Sequence, residues 1–443
     1  MNYLPIPTYD QFSFTAAPLT VTQNTANTSC PFAVQLNLDN TGGYWDLIST
    51  LYAGTVDISS QIAPIFGTTR IQAWAALQGT LCQSGITPPA SEYIYAIRDD
   101  GWTQQVQVNL VAAPAKPTTI TPSPTAITLA AASASQTAQA TLAVGIGDST
   151  QTWTAAVHPA NPTAGWLSVS QLSGTGSGQI ALTASGFGFE PGVYRAIVTI
   201  QSPNAVPQFV NVPVMFVLGG GSGTSVASVA NPASGQTTGA AGMLLSVFGS
   251  NLAPATQTLS GNPLPFSSSS VTATVNGQAA PLLYVSPTQI NLQIPYEVGS
   301  GPAMLGIVNN GQVAGFQFQV APSAPAIYTD GNGNLAGNPK VKAGGVATLY
   351  LNGAGDVTPA LATGALAPSL GPVVNITVFT PVLPLSVTVG GIQAIVQFEG
   401  LAPQTAGTTQ VNFYVPASLS SGPQPVVVTV NGVASLPVNV TVQ

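Results

Sequence analysis

The chain has 443 residues, of which 45% are hydrophobic and only 4% are charged, against roughly 25% charged in ordinary soluble domains. A net charge of −7 with six Lys and Arg excludes nucleic acid as a partner, because binding phosphates needs clustered cations. The apolar content is too high for a disordered chain, and no stretch approaches the ~18 apolar residues of a membrane span.

Forty-six Gly and 38 Pro among abundant Ser, Thr, Asn and Gln predict short strands and many turns. The expected fold is all-β, a tandem of Ig-like β-sandwich domains, three or four by length at ~100–150 residues each. Hydroxyls, amides and backbone must solvate such a surface, so few groups titrate and folding should depend weakly on pH. Met1–Asp10 shows neither a basic n-region nor an apolar h-region. The composition nonetheless reads as exported, extracellular or on the cell surface, with the leader absent from this sequence or export by another route.

Residues 1–22 are extended and punctuated by Pro5, Pro7 and Pro18, with Phe12, Phe14, Leu19 and Val21 as apolar positions. They read either as the first strand of the domain that follows or as an arm completing a neighbour's sheet, with those four residues as the subunit contact.

The next domain, 23–113, holds Trp45, Trp74, Trp102, both cysteines and six of the thirteen acids. Strand-like runs Phe32–Leu38 and Gln104–Val111 bracket a middle, Tyr44–Leu81, with room for short helices. Cys30 and Cys82 would clip that middle to the sheet. In an extracellular protein one pair is most simply a disulfide, the alternative being two buried thiols. Tyr44, Trp45 and Tyr52 are the exposed candidates for stacking on sugar rings.

Ala112 to Pro124 is a Pro-rich, semi-rigid connector. The domain at 118–218 has strand candidates spaced ~10 residues apart, the rhythm of a sandwich. Trp153 and Trp166 fall inside strands and read as core. Trp166-Leu167-Ser168-Val169-Ser170, the Gly-rich turn Gly174–Gly178, and Pro191-Gly192-Val193-Tyr194 before an Ala/Val/Ile strand carry a resemblance. This stretch resembles the BACON family, Bacteroidetes-associated carbohydrate-binding modules, and the likeness implies a sandwich that meets polysaccharide.

Gly219–Gly223 has the composition of a flexible linker, and two further domains follow at 225–322 and 323–443. They share a repeat. Thr288-Gln289-Ile290-Asn291-Leu292-Gln293-Ile294-Pro295 returns as Thr409-Gln410-Val411-Asn412-Phe413-Tyr414-Val415-Pro416. At the same offset Ser300-Gly301-Pro302 matches Ser421-Gly422-Pro423, and Asn310-Gly311 matches Asn431-Gly432. Period-2 alternation ended by Pro, then a Gly-Pro turn and an Asn-Gly hairpin signal, describes a sandwich building block used twice.

Leu244–Leu252 looks like the strand-turn opening of IPT/TIG-type Ig-like domains. With Pro325–Gly333 and Val387-Thr388-Val389-Gly390-Gly391, the chain from about 226 onward resembles the uncharacterised paired Ig-like C-terminal module of large secreted Acidobacteria proteins. That resemblance implies an exported, modular β protein and brings no catalytic residue.

Residues fit for catalysis are sparse. One histidine, His158, cannot supply a triad or a zinc set by itself. No Gly-x-Ser-x-Gly elbow or phosphate loop is present. Adjacent Asp99 and Asp100 would point to opposite faces of a strand and read as a solvated loop, leaving the 23–113 domain as the sole place for an enzyme. Asp330, Asn332 and Asn334 resemble the opening of a calcium loop, but Leu335 and Val341 stand where Gly and Glu are needed, so a turn is the simpler reading beside a weak Ca²⁺ site. The sequons at Asn27, Asn375 and Asn439 are short enough to arise by chance.

The expectation is a non-catalytic extracellular structural or surface protein without cofactor, assembling with itself into a filament or layer through strand addition by the arm. The alternative is a carbohydrate-binding or adhesion module.

Overall fold

Alternating apolar and polar residues build nearly every element of the chain, and the result is all-β: a tandem of Ig-like sandwiches with one short helix among the described residues. The structure, a computed structural model, describes residues 12–43, 45–160, 162–221, 223–369 and 377–443. Candidate Tyr44, the first half of the 1–22 arm and most of the Asn375 sequon lie outside them. The chain divides into two compact units, one reaching Gly221 and taking in Gly311–Gly315, the other made of the rest.

In the first unit, strand Phe32–Asn40 pairs antiparallel with Phe12–Ala17 on one side and Ala76–Gln83 on the other. Facing them is a six-stranded sheet in which Thr103–Val111, Ala90–Arg98 and Asp46–Ala53 run consecutively, with Thr20–Thr22 parallel at one edge. Phe12, Phe14, Phe32, Leu36, Leu38, Leu51, Ile94 and Val108 fill the space between. The helix Ile62–Phe66 lies on Ala76–Gln83, and Gly79 permits that approach, since a Cβ there would sit 2.5 Å from the Ile65 carbonyl oxygen. A disulfide joins Cys30 to Cys82 with their Cα atoms 4.9 Å apart, clipping the approach to the central strand onto its neighbour.

The second sandwich of this unit stacks Ile120–Ser123, Thr137–Ile146, Gly178–Ser185 and Leu167–Val169 on a five-stranded sheet centred on Gly192–Gln201. Trp153 and Trp166 are buried in its core. Trp166 stacks on Phe216 at 5.3 Å, and the Trp153 indole N–H donates to the Gly176 carbonyl at 2.9 Å, so its one polar atom is satisfied.

The outer side of Phe32–Asn40 is polar yet dry, because the second sandwich covers it. Gln35, Asn37 and Asp39 are buried. Asn211 Nδ2 donates to Gln35 Oε1 at 3.0 Å, Thr199 Oγ1 to Asn211 Oδ1 at 2.7 Å, and the Ala160 N–H to Asp39 Oδ2 at 3.0 Å. Farther along, Gln208 donates to the Thr20 carbonyl and accepts from the Thr22 N–H, both at 2.8 Å.

In the second unit both copies of the repeat are central strands, Gln289–Gln293 and Thr408–Tyr414. Ile290, Leu292, Ile294 and Val411, Phe413, Val415 point into their cores. The hairpins match as well. Asn310 and Gly311 have φ of 50° and 76°, Asn431 and Gly432 48° and 79°, the left-handed pair that two-residue hairpin turns require. In the last sandwich, strand Ile392–Leu401 pairs with Leu385–Val389 at its start and with Thr408–Tyr414 thereafter, joining both layers into one nine-stranded sheet. Asn352 locks this sandwich to the preceding one, its Oδ1 accepting from the Leu244 N–H and its Nδ2 donating to the Leu244 carbonyl and Asn231 Oδ1, all at 2.9 to 3.0 Å.

The disulfide closes a loop of 52 residues, which chain entropy values at about 4 kcal/mol. A Cys30→Ala/Cys82→Ala variant should lose about 2–4 kcal/mol in the urea unfolding of the first unit, with the transition of the second unit unmoved. Unchanged stability would show that the loop is already confined without the bond.

Candidate functional site

The first sandwich keeps one sheet face open. In Asp46–Ala53 and Ala90–Arg98 the inward positions are Ile48, Leu51, Ala53, Ile94 and Ala96, all buried, so alternation turns Tyr52, Tyr93 and Tyr95 outward. Register sets them side by side: Tyr52 pairs with Tyr95, Tyr95 with Gln105 on the next strand, and Tyr93 with Gln107. The Tyr93 and Tyr95 rings lie 6.2 Å apart, tilted by 32°. Gln107 Nε2 donates to Ser91 Oγ at 2.7 Å. A register shift between Ile48 and Thr50 keeps Asp46 pointing inward, and Trp45 emerges 56% exposed just ahead of it. The face thus presents three phenols beside the amides of Gln105 and Gln107. Its one carboxylate, Asp57 at the edge strand, accepts from the Ser59 N–H and hydroxyl.

A buried cation anchors the end of this face. Arg98 pairs with Asp46 at 3.0 Å and with Asp100, and Asn40 Nδ2 donates to the other Asp46 oxygen at 3.0 Å. The Arg98 guanidinium lies 5.9 Å from the Trp102 ring centroid, close enough for a cation–π contact. The bond to Arg98, with help from the Trp102 N–H, pulls the Asp100 carboxyl down to about 2. Trp102 therefore lies against a fixed charge cluster, one member of which, Asp46, directly follows Trp45 in the chain.

The other residues singled out in the sequence are placed as follows. Phe12, Phe14 and Val21 are buried in the core of their own sandwich, whereas Leu19 is 54% exposed. Asp99 and Asp100 sit on an exposed turn. Asp330 accepts from the backbone N–H groups of Asn332 and Asn334 and from the Asn334 side chain, so turn donors occupy both its oxygens. Among the described residues no three His, Cys, Asp or Glu side chains gather as a metal set, and no helix is long and apolar enough to cross a membrane. Tyr93 and Tyr95 escaped the sequence reading, although their spacing between Ser91 and Ile97 marks one strand face.

No protein-family model matches the chain, and no curated protein does. Among solved structures, a Bacteroides ovatus GH5 xyloglucanase in complex with a XXXG heptasaccharide aligns with 23% of this chain at 14% identity and a TM-score of 0.18; the chain spans 19% of that protein. The SGBP-B protein of a Bacteroides ovatus mixed-linkage glucan utilization locus, in complex with a heptasaccharide, aligns over 72% of this chain and 65% of its own at 13% identity and a TM-score of 0.28. The human desmocollin-1 ectodomain covers 97% of both chains at 10% identity and a TM-score of 0.18. Scores this low leave the sandwich assignment resting on the sheets themselves.

Burial, and secondarily Arg195, pushes the pKa of His158 down. The unfolded chain binds its proton near 6.5, so this contribution to stability is complete above that pH and is lost as pH falls through the depressed folded value. Glu399, pushed up by burial, acts with the opposite sign. His158→Gln should therefore flatten the melting temperature between pH 7 and 5 relative to the parent protein, as calorimetry would read. Parallel profiles would show that the imidazole is solvated in the folded state.

Proposed function

We propose that the chain is a non-catalytic extracellular module that holds an uncharged polysaccharide on the open face of its first sandwich. The observation that carries this reading is the group of Tyr52, Tyr93 and Tyr95 beside Gln105 and Gln107 on one sheet face. An aromatic ring offers a flat apolar surface to the C–H side of a pyranose, and planar amides offer the donor and acceptor that sugar hydroxyls need. A face almost without charge suits a polymer without charge. Export agrees with the disulfide, since such bonds persist in oxidising compartments.

Self-assembly is not needed for this reading. Donating the arm to a neighbour would require Phe12 and Phe14 to leave the core that they occupy, while their strand pairs residue for residue with Phe32–Asn40.

Affinity electrophoresis against neutral polysaccharides (mixed-linkage β-glucan, xyloglucan, starch) tests the proposal. A favourable ring contact is worth ~0.5–1.5 kcal/mol, so Tyr52→Ala/Tyr95→Ala should weaken binding by about tenfold or more, with the fold intact by circular dichroism. Binding should be indifferent to salt between 0.05 and 0.5 M, because the polymer carries no charge to be screened. If the parent protein binds no neutral polymer, or the double variant binds as well as the parent, the reading fails.

A further inference from the structure

The internal duplication has kept something that folding does not require. Between the two copies every inward residue of the strand has changed, Ile290 to Val411, Leu292 to Phe413 and Ile294 to Val415; of the three outward residues Gln293 becomes Tyr414, while Gln289 and Asn291 reappear unaltered as Gln410 and Asn412. These four recurring amides are half-buried, and positions outside the core are normally the freer ones.

The two amide pairs also make the same bonds. Gln289 Nε2 donates to Asn291 Oδ1 at 2.8 Å, and Gln410 Nε2 to Asn412 Oδ1 at 3.1 Å. A hydroxyl on the neighbouring strand donates to the same oxygen, Ser246 in one copy and Thr348 in the other, each at 3.0 Å. Rings flank both pairs: Phe248 opposes Gln289 and Tyr284 opposes Asn291, while Tyr350 opposes Gln410 and Phe398 opposes Asn412. The backbone ladder already joins these strands, so the side-chain ladder is not needed to hold them together.

We infer that these twin faces are two further sugar-binding sites, taking the same uncharged polysaccharide class as the first sandwich. The inference rests on that reading of the first sandwich. With both lone pairs of the Asn oxygen engaged, the amide is fixed in orientation. Its Nδ2 hydrogens and the Gln Oε1 then remain to meet a pair of sugar hydroxyls between two rings. Charge agrees. Glu297 is the sole charged residue between Ser225 and Pro322, and in the other copy Glu399 pairs with Val411, on the opposite side of the strand from Asn412. The chain would then hold its polymer at three places and cross-link it.

Four proteins of the whole 443-residue chain separate this inference from its premise: the parent, Tyr52→Ala/Tyr95→Ala, Phe248→Ala/Tyr350→Ala, and the combination. Phe248 is 38% exposed, so truncating it opens no core. Asn291→Ala/Asn412→Ala is the companion pair should the ring variant unfold. With soluble mixed-linkage β-glucan, xyloglucan and starch as probes, the parent should precipitate at least one polymer. The ring variant of the repeat should lose precipitation and about tenfold in apparent affinity, and the combination should lose binding altogether. If the repeat variant binds and precipitates like the parent while Tyr52→Ala/Tyr95→Ala abolishes binding, the twin sites are overturned and the first sandwich stands. If Tyr52→Ala/Tyr95→Ala binds like the parent, the first sandwich is overturned instead. If the repeat substitutions change only the sedimentation coefficient, the faces join copies of the chain and the inference is lost.

Discussion

Amide hydrogen bonding replaces charge throughout this protein, and its architecture depends on that exchange. A buried polar group left without a partner costs ~1–3 kcal/mol, and a buried ion pair must overcome a desolvation penalty of several kcal/mol per ion. Asn and Gln avoid the second cost and meet the first, because each side chain carries both donor and acceptor. Gln35 with Asn211 and Thr199 joins the first two sandwiches; Asn352 with Asn231 and the Leu244 backbone joins the last two. Gln293 is wholly buried and still satisfied at both ends, by the Gly242 carbonyl and the Gly364 N–H. Junctions of this kind hold at any ionic strength.

The exception is informative. The chain spends two of its few cations inside the first sandwich, where Arg70 and Arg98 are both buried. Arg98 is fixed by Asp46, which directly follows Trp45, and by Asp100, two residues before Trp102. Removing a partner from such a cluster leaves a buried charge uncompensated, at about 3–5 kcal/mol. A rigid cluster of that kind orients the backbone from which exposed rings emerge, and preorganised rings lose less entropy on binding.

Local pattern was legible in the sequence; what covers a face was not. Alternation identified Phe32–Leu38 and the two repeat strands, Asn-Gly located their hairpins, and the two cysteines implied their bond. The same alternation in Gln35, Asn37 and Asp39 reads as a wet face, because one strand's pattern cannot say that a second sandwich will dry it. Tyr93 and Tyr95 were passed over for a related reason. Their neighbours Ile94 and Ala96 declare the inward side, but whether the opposite side stays open depends on where the next sandwich docks. Pairings distant in sequence, such as Thr20–Thr22 beside Thr103–Val111, leave no local mark at all.

That dependence gives the first sandwich a division of labour between its two outer faces. The three-stranded sheet offers Gln35, Asn37 and Asp39 and is consumed in docking; the six-stranded sheet offers tyrosines and glutamines and stays free. Register enforces the separation, since slipping either strand by one residue would exchange its core and outer residues wholesale. The irregularity between Ile48 and Thr50 adjusts this locally, letting Asp46 reach Arg98 inside while Tyr52 remains outside on the same strand. Amides thus stand on both outer faces, and only on the docked side are they buried, with side-chain partners supplied by the second sandwich.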